Sequence, residues 1–388
     1  MAQIIERKTK ANDGRATWLI RIYAGFDDHG KRKYISYNVT GTKKEAEREA
    51  ARLEAKYHDG SLIESSHMTI SEWIEEWLTV WAKQQVTERT YRDYEKILHD
   101  KIMPRLGRFT LSKAQNMAKA FQEAIDEVAK ESGGRTGQYT HMILKQAMKK
   151  AVETRKMERN PLEFVQRPKA QKQQEIRPLD TGEIKTFLTT VSALWSMENG
   201  APIYPLFKFM LDAGCRPGEA LALKWSDLED DYHTARIQRS LERTPDGWNE
   251  KAPKTAGSRR TISLTDSTAA ILKRYAKIQK AHMMAHRDRY QDHDYVFANT
   301  NGQPMDKHNL VRRYFKPALE KAGLPNTVRL YDLRHTVATQ LLKANINPKI
   351  VAERLGHANI TMTLNTYSHV LPSMQQTAVK ALEDMLGD

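Results

Sequence analysis

The hydrophobic and polar positions of this chain first predict a small mixed module. Residues Thr17–Ala24 and Lys33–Thr40 alternate and are rich in β-formers, which predicts two extended strands. From Thr42 the pattern changes to alanines and charged residues, with Glu45 placed to complete a capping box. Residues 1–60 are therefore expected to form a two- or three-stranded sheet backed by one helix.

Helical periodicity dominates the next hundred residues. From about Thr69, apolar residues that include Trp73, Trp77 and Trp81 recur at three- and four-residue steps, so one helix face is strongly apolar and suited to a core. Residues 68–165 are therefore expected to form a helical domain. Its further helices are predicted at Thr87–Ile102, Ser112–Lys130 and Arg135–Lys156, with breaks at Pro104, Gly107 and Gly133–Gly134.

Two polar stretches flank the helical domain. Gly60–His67 is serine-rich and is predicted to be a linker. Residues 166–178 (QRPKAQKQQEIRP) are basic and bounded by prolines, and a segment this polar has no apolar side chains to add to a core. Residues 179–388 are therefore expected to form a separate domain.

The domain that starts at residue 179 is predicted to be mixed but mostly helical. An apolar helix at Ile203–Ala213 leads into a tight corner, GCRPGEALALKWSDL. Thr234–Arg243 and Arg259–Leu264 alternate like strands, and a turn between them carries Lys254. The remainder is expected to be mostly helical to Leu386, with interruptions at Asn347–Pro348 and Gly356.

Length and charge narrow the class of protein. A chain of 388 residues exceeds the size at which a single core usually stops growing, so several domains are expected. Lysine and arginine number 62 against 48 acidic residues, and the net charge of +14 favours a polyanionic partner. The single cysteine, Cys215, fits a reducing compartment. With no signal-like or membrane-spanning apolar run, we expect a soluble cytoplasmic protein.

The strongest chemical pattern lies between Arg216 and Tyr367. Metal-free cleavage of a phosphodiester needs cations on its oxygens, a nucleophile and an acid for the departing oxygen. Arg216 and Arg334 suit the first task because guanidinium groups bind phosphate bidentately. Glu219 is placed to orient Arg216, although an Arg-x-x-Glu spacing also fits an ordinary salt bridge at a helix end.

These residues resemble the tyrosine recombinase family. Five elements occur in the family's order, and the whole layout is similar to the lambda-type integrases of temperate phages and conjugative transposons. The elements are Arg216 with Glu219, Lys254 on a hairpin, the YDLRHT sequence around Arg334, the LGH sequence at His357 and Tyr367 within NTYSHV.

The resemblance implies a mechanism. Tyr367 would attack the scissile phosphate and hold the DNA strand as a 3′-phosphotyrosyl linkage. Arg216, Arg334 and His357 would bind the phosphate oxygens, and Lys254 would protonate the leaving 5′-oxygen. No cofactor, metal or ATP is implied, because the covalent linkage conserves the energy of the phosphodiester bond.

One position departs from the family pattern. Tyr331 stands where the family usually has a histidine, three residues before Arg334. A phenol can donate a hydrogen bond to phosphate but carries no charge near neutral pH, so Tyr331 is expected to line the site. His335 resembles the family's inward structural histidine rather than a catalytic group.

Basic residues beyond the active site are candidates for DNA contact. On the N-terminal strands they stand beside tyrosines and Trp18, and a sheet so furnished suits a DNA groove, although a solvated basic face explains it equally well. Two further arginines follow the Lys254 turn and are expected to contact backbone phosphates. The candidates are Arg21, Lys31, Arg32, Lys33, Arg259 and Arg260.

Three functions remain open on this pattern. The leading one is an integrase that inserts and excises a mobile element, acting on core and arm sites of double-stranded DNA as a homotetramer, with accessory DNA-bending and excision proteins. A short apolar stripe at Ala378, Leu382 and Met385 is suited to docking on a neighbouring protomer or on its own domain. The alternatives are a type IB topoisomerase and a non-catalytic DNA-binding regulator.

Overall fold

The computed structural model describes residues 2–7, 16–26, 30–58, 68–169, 176–197, 201–244, 247–251, 259–367 and 374–387. The chain divides into two units, Met1–Gln173 and Gln174–Asp388. The boundary falls within the predicted linker at residues 166–178, and the predicted linker Gly60–His67 lies outside the described residues. Within the described ranges, no helix combines the length and the apolarity that crossing a bilayer requires.

The first unit begins with the expected sheet and helix. Strands β1 (Gln3–Arg7), β2 (Thr17–Phe26) and β3 (Arg32–Thr40) form an antiparallel sheet in that order, followed by helix α1 (Lys43–His58). Ile20 and Ile22 of β2 pack with Ala50 and Leu53 of α1. The predicted capping box is present, because Glu45 accepts a 2.8 Å hydrogen bond from the backbone N–H of Thr42.

A helical core follows. Trp73 is fully buried, and its indole N–H donates a 3.0 Å hydrogen bond to the carbonyl of Ala147. π-helical turns at Leu78–Ala82 and Leu98–Ile102 join consecutive helices. The helices are α2 (Ile70–Trp77), α3 (Lys83–Gln85), α4 (Glu88–Ile97), α5 (Met103–Leu106), α6 (Leu111–Ala114), α7 (Ala118–Ser132) and α8 (Gly134–Glu153).

Two predicted boundaries in this region are wrong. Pro104 does not end its helix, because the preceding π turn already shifts the hydrogen bonds and Met103 donates to Leu98 five residues back. The single helix predicted at Ser112–Lys130 is two helices, α6 and α7, separated by a turn at residues 115–117.

The second unit is mostly helical with two small sheets. Phe187, Phe207 and Phe315 pack edge-to-face or tilted in its core. The strands β4 (Leu228–Glu229), β5 (Thr234–Ile237) and β8 (Arg260–Ser263) form one sheet, and β6 (Ser240–Thr244) pairs with β7 (Gly247–Lys251). The helices are α9 (Thr181–Leu194), α10 (Ile203–Ala213), α11 (Pro217–Leu221), α12 (Asp266–Ala285), α13 (Lys307–Leu310), α14 (Lys316–Lys321), α15 (Asp332–Lys343), α16 (Pro348–Leu355), α17 (Ile360–Tyr367) and α18 (Met374–Leu386).

The prediction of a single strand at Thr234–Arg243 is wrong. The segment forms two strands in different sheets, since β5 pairs with β8 while β6 pairs with β7. Arg239, which lies between the two strands, forms an ion pair with the buried Asp227. β7 (GWNEK) contains no β-branched residue, which explains why alternation did not reveal it.

Candidate active site

Arg216 lies on a rigid corner between two helices. Gly214 ends α10 in the left-handed conformation, with φ of +63°, and its N–H donates to Met210. A Cβ at Gly214 would approach side-chain atoms of Leu355 and Val337 to 3.0 and 3.1 Å, so the corner is closely packed. Arg216 is then the N-cap residue of α11, which fixes where its side chain starts.

Glu219 joins Arg216 to a second arginine. Its carboxylate is 4% exposed and accepts hydrogen bonds from Arg216 Nη1 at 2.7 Å, the Arg216 backbone N–H at 2.9 Å and Arg260 Nη2 at 2.9 Å. Burial raises the pKa of Glu219, but the two guanidinium groups outweigh it and hold that pKa below its ordinary value. Glu219 is thus a buried carboxylate shared by two arginines, whereas an ordinary salt bridge at a helix end would involve Arg216 alone.

Arg260 supports the site from inside the protein. Its side chain is 7% exposed, and its Nε donates a 2.6 Å hydrogen bond to the carbonyl of Arg354. This geometry does not support the expected contact between Arg260 and DNA phosphates. The alternation of residues in β8 could have predicted that Arg260 points inward, because Arg260 lies on the same face of the strand as the buried Ile262. Arg259, by contrast, is exposed.

Arg334 is buried but incompletely hydrogen-bonded. It lies in the first turn of α15, is 1% exposed, and donates from Nη1 to the carbonyl of Gly214 at 3.1 Å. Its Nη2 is also buried and has no hydrogen-bond partner among the described residues. Burial lowers the pKa of Arg334, although a guanidinium remains charged. An unsatisfied, buried cationic donor is costly unless a ligand completes its bonding.

A second left-handed glycine places His357. Gly356 ends α16 with φ of +67°, and its carbonyl lies 3.5 Å from Arg216 Nη2. His357 follows, with Nδ1 2.7 Å from the hydroxyl oxygen of Thr363. Burial and then the neighbouring arginines lower the pKa of His357 to about 4. In the free protein His357 is therefore neutral near pH 7 and can donate one hydrogen bond to an anion.

Tyr367 ends α17 inside the same domain. It is 2% exposed, packs with Ala338, Val351 and Leu355, and its hydroxyl lies 2.6 Å from Nδ1 of His335. Burial raises the pKa of Tyr367, whereas the charge of Arg334 opposes that rise. The phenol is thus protonated at neutral pH and already hydrogen-bonded.

Tyr331 lies at the entrance to α15 and is 40% exposed. Its ring centroid is 5.2 Å from that of His335. Burial lowers the pKa of Arg216, but Glu219 and then Tyr331 raise it, so the Tyr331 hydroxyl is close to that guanidinium. Tyr331 therefore lies beside both Arg216 and His335.

The structure brings together six of the residues selected from the sequence. Arg216, Glu219, Tyr331, Arg334, His357 and Tyr367 lie within one electrostatically linked group. Lys254 lies outside the described residues. In the N-terminal sheet Lys31, Arg32 and Lys33 are exposed, and the Arg21 guanidinium lies 4.3 Å above the ring centre of Tyr34.

The arrangement suits phosphodiester chemistry. The guanidinium groups of Arg216 and Arg334 lie close enough to the His357 imidazole to lower its pKa. Arg334 also lies near the phenol of Tyr367, so cations, an imidazole and a phenol are grouped as a phosphate with developing negative charge would require. Among the described residues, no three side chains of His, Cys, Asp or Glu are grouped as a metal site.

Comparison with known proteins agrees with this geometry. Residues 177–374 match the model of the phage integrase family, and residues 69–118 match that of the phage integrase N-terminal SAM-like domain. An integrase of Saccharopolyspora erythraea is 24% identical across 97% of this chain and 98% of its own length. A XerC-like tyrosine recombinase of Caldanaerobacter subterraneus subsp. tengcongensis is 26% identical across 96% of this chain and 97% of its own.

Solved structures share the fold. The integrase of transposon Tn1549, in complex with a circular intermediate DNA, aligns with a TM-score of 0.67 at 21% identity, covering 81% of this chain and 99% of that one. A lambda integrase tetramer bound to a Holliday junction aligns with a TM-score of 0.58 at 16% identity, covering 91% and 96%. These similarities confirm the predicted fold class of a small sheet module, helical domains and a mixed, mostly helical domain.

Proposed function

This chain belongs to the phage integrase family, and we propose that it is a site-specific DNA recombinase that cleaves and rejoins DNA to integrate and excise a mobile element. Relatives that match nearly the whole chain are an integrase and a XerC-like tyrosine recombinase. Their activity fits a site built from guanidinium groups, an imidazole and a buried phenol.

The proposed cleavage step begins with Tyr367. Its hydroxyl attacks the scissile phosphorus, a 3′-phosphotyrosyl bond forms, and the bond to the 5′-oxygen breaks. Arg216, Arg334 and His357 hold the non-bridging oxygens as charge develops. Lys254 is assigned the proton transfer to the leaving 5′-oxygen, on the family resemblance alone.

The observation that carries this proposal is the unsatisfied Nη2 of Arg334. Nη1 of the same guanidinium donates to the carbonyl of Gly214, on the corner that holds Arg216. A phosphate oxygen supplies the missing acceptor and the missing negative charge at once. A purely structural arginine would be expected to have all its buried donors satisfied within the protein.

A nicked suicide substrate tests the nucleophile. The wild-type chain should accumulate a covalent protein–DNA adduct, and Tyr367→Phe should form none while still binding the same DNA. Tyr314→Phe is a matched control, because the Tyr314 ring packs on Trp195 and plays no part in the proposed chemistry. An adduct of equal yield from Tyr367→Phe would show that another residue is the nucleophile. No adduct from the wild type would favour the non-catalytic regulator.

The N-terminal sheet is proposed to bind arm sites. Ile20 and Ile22 face α1, so the alternate residues Arg21 and Tyr23 lie on the opposite face, beside Tyr34. That face combines a cation with aromatic rings, and Tyr23 is 39% exposed. Arg21→Ala should weaken binding to arm-site DNA more than to core-site DNA in a gel-shift assay. Equal binding by the variant would favour a merely solvated face.

The helical domain and the domain after the linker are proposed to grip the core site. Neutralising many phosphates makes affinity strongly dependent on salt, so the apparent Kd for core DNA should rise about 10³-fold or more between 50 and 200 mM salt if six or more phosphates are contacted. A nearly constant Kd would contradict this mode of binding.

Assembly into a tetramer is proposed to use the C-terminal helix. On α18, Leu382 is 53% and Met385 is 81% exposed, which leaves an apolar surface to cover, while the Ala378 side chain lies outside the described residues. A topoisomerase that acts alone needs no such contact. Truncation after Leu371 should abolish synaptic complexes but spare binding of a single core site. We further propose accessory DNA-bending and excision proteins as partners and the cytoplasm as the location.

A further inference from the structure

A histidine outside the expected phosphate-binding set contacts the proposed nucleophile. His335 follows Arg334 on α15, and its Nδ1 lies 2.6 Å from the hydroxyl oxygen of Tyr367 at the end of α17. That distance is short even for a hydrogen bond between an oxygen donor and a nitrogen acceptor. The family resemblance gave His335 only a structural role, whereas this contact places a titratable nitrogen against the proposed nucleophile.

The surroundings of His335 favour a neutral imidazole. Burial lowers the pKa of His335; Asp332 opposes this, and Arg329 and Arg334 add to it. Among the described residues, Tyr367 of α17, the neighbouring His357 and the ring of Tyr331 also face it. A neutral imidazole has one nitrogen that accepts a hydrogen bond. In the tautomer that carries its proton on Nε2, Nδ1 accepts the hydrogen bond that the protonated Tyr367 hydroxyl donates.

Other imidazoles in the site are differently engaged. His357 is hydrogen-bonded through Nδ1 to Thr363. Position 331, where a histidine would be expected, holds a phenol that lies near Arg216. Among the described side chains, His335 is therefore the base placed directly on the hydroxyl that must lose its proton.

We propose that His335 is the general base that accepts the phenolic proton of Tyr367 during strand cleavage, a proposal that rests on the recombinase function. As the oxygen–phosphorus bond forms, the proton moves from the phenol to Nδ1, giving an imidazolium. The bond to the 5′-oxygen breaks, and that oxygen takes its proton from the group assigned to the leaving side, Lys254. On rejoining, the imidazolium returns its proton to the departing phenolate.

His335→Asn separates proton transfer from positioning. The amide oxygen of asparagine occupies the place of Nδ1, so it can accept the hydrogen bond but cannot take up the proton. Single-turnover cleavage of a suicide substrate should slow by about 100-fold or more, the usual size of a general base contribution. The wild-type rate should rise with pH through an inflection below the ordinary histidine pKa, and the variant should lack that inflection. DNA affinity and melting temperature should match the wild type.

A modified substrate identifies the side of the reaction on which His335 acts. With sulfur in place of the bridging 5′-oxygen, the leaving group needs no proton, so Lys254→Ala should recover its cleavage rate. His335→Asn should remain slow, because the phenol must still lose its proton.

The outcomes distinguish the two proposals. Wild-type cleavage rates from His335→Asn, an unchanged pH profile, or its rescue by the sulfur substrate would each overturn the role of His335 while leaving the recombinase function intact. Failure of the wild-type chain to form an adduct on either substrate would overturn both. A slow variant that keeps the pH inflection would assign His335 to positioning and refute proton transfer.

Discussion

Replacing Glu219 by glutamine tests whether a shared buried carboxylate holds the active site together. The substitution keeps the shape of the side chain but removes the charge that pairs with Arg216 and Arg260. Removing one partner from a buried ion pair typically costs ~3–5 kcal/mol, because the other charge is left uncompensated. Arg260 is 7% exposed and keeps its bond to the carbonyl of Arg354, whereas the Arg216 side chain is 33% exposed. We therefore expect a loss near the lower end, about 3 kcal/mol.

A loss of that size is measurable by calorimetry on the full chain. For a domain of 150–250 residues each kcal/mol lowers the melting temperature by ~2–4 °C, so Glu219→Gln should lower the transition of the second unit by about 6–12 °C. Cleavage of the suicide substrate should also slow, because Arg216 loses the carboxylate that orients it.

The matched control is Glu229→Gln. Glu229 pairs with Arg236 at 2.9 Å, but the two side chains are 49% and 41% exposed. An exposed pair contributes about 0.2–1 kcal/mol at most, so this variant should melt within a few degrees of the wild type. If the two variants lost the same stability, the network around Glu219 would not be what holds the site.

Glycine geometry and histidine titration give two further predictions. Gly214→Ala should lower the free energy of unfolding by about 1–2 kcal/mol, because alanine at φ of +63° is strained and its Cβ would crowd Leu355 and Val337. Urea denaturation measures this loss, and an unchanged midpoint of unfolding would contradict the prediction. His357 has a lowered pKa of about 4 in the folded chain. As pH falls from the ordinary histidine pKa of ~6.5 towards 4, the unfolded chain binds a proton that the folded chain does not, so stability falls. Between pH ~6.5 and about 4 the melting temperature of His357→Asn should fall less steeply than that of the wild type. An identical fall in both proteins would refute the lowered pKa of His357.

The helices were well predicted because apolar periodicity, capping residues and terminal glycines all lie within the helix or next to it in the sequence. Helix α10 occupies the predicted residues Ile203–Ala213, since an apolar face and the following Gly214 define both its packing and its end. The capping box at Thr42 placed the start of α1 in the same way. The π turn before Pro104 was not predictable, because it depends on how two helices pack rather than on the proline itself.

The candidate site also has parts that could be predicted from the sequence and parts that could not. Arg216, Arg334 and Tyr367 could be selected from the sequence because each lies within a short motif. The inward placement of Arg260 depends on which strand partners β8, and the contact between His335 and Tyr367 depends on where α15 meets α17. These are tertiary relations between distant segments, so no window of the sequence contains them.

Charge in the folded site explains why these relations matter. Glu219 is shared by Arg216 and Arg260, which leaves Arg334 with a backbone carbonyl and no carboxylate among its described hydrogen-bond partners. The surplus positive charge also keeps His357 neutral, since Arg334 and Arg216 both lower its pKa after burial. A bound phosphate would reverse both effects, because it supplies the missing countercharge and favours the protonated imidazole. In the proposed mechanism the free protein holds its cations in place before DNA binds, and an entering phosphodiester would release the cost of their mutual repulsion.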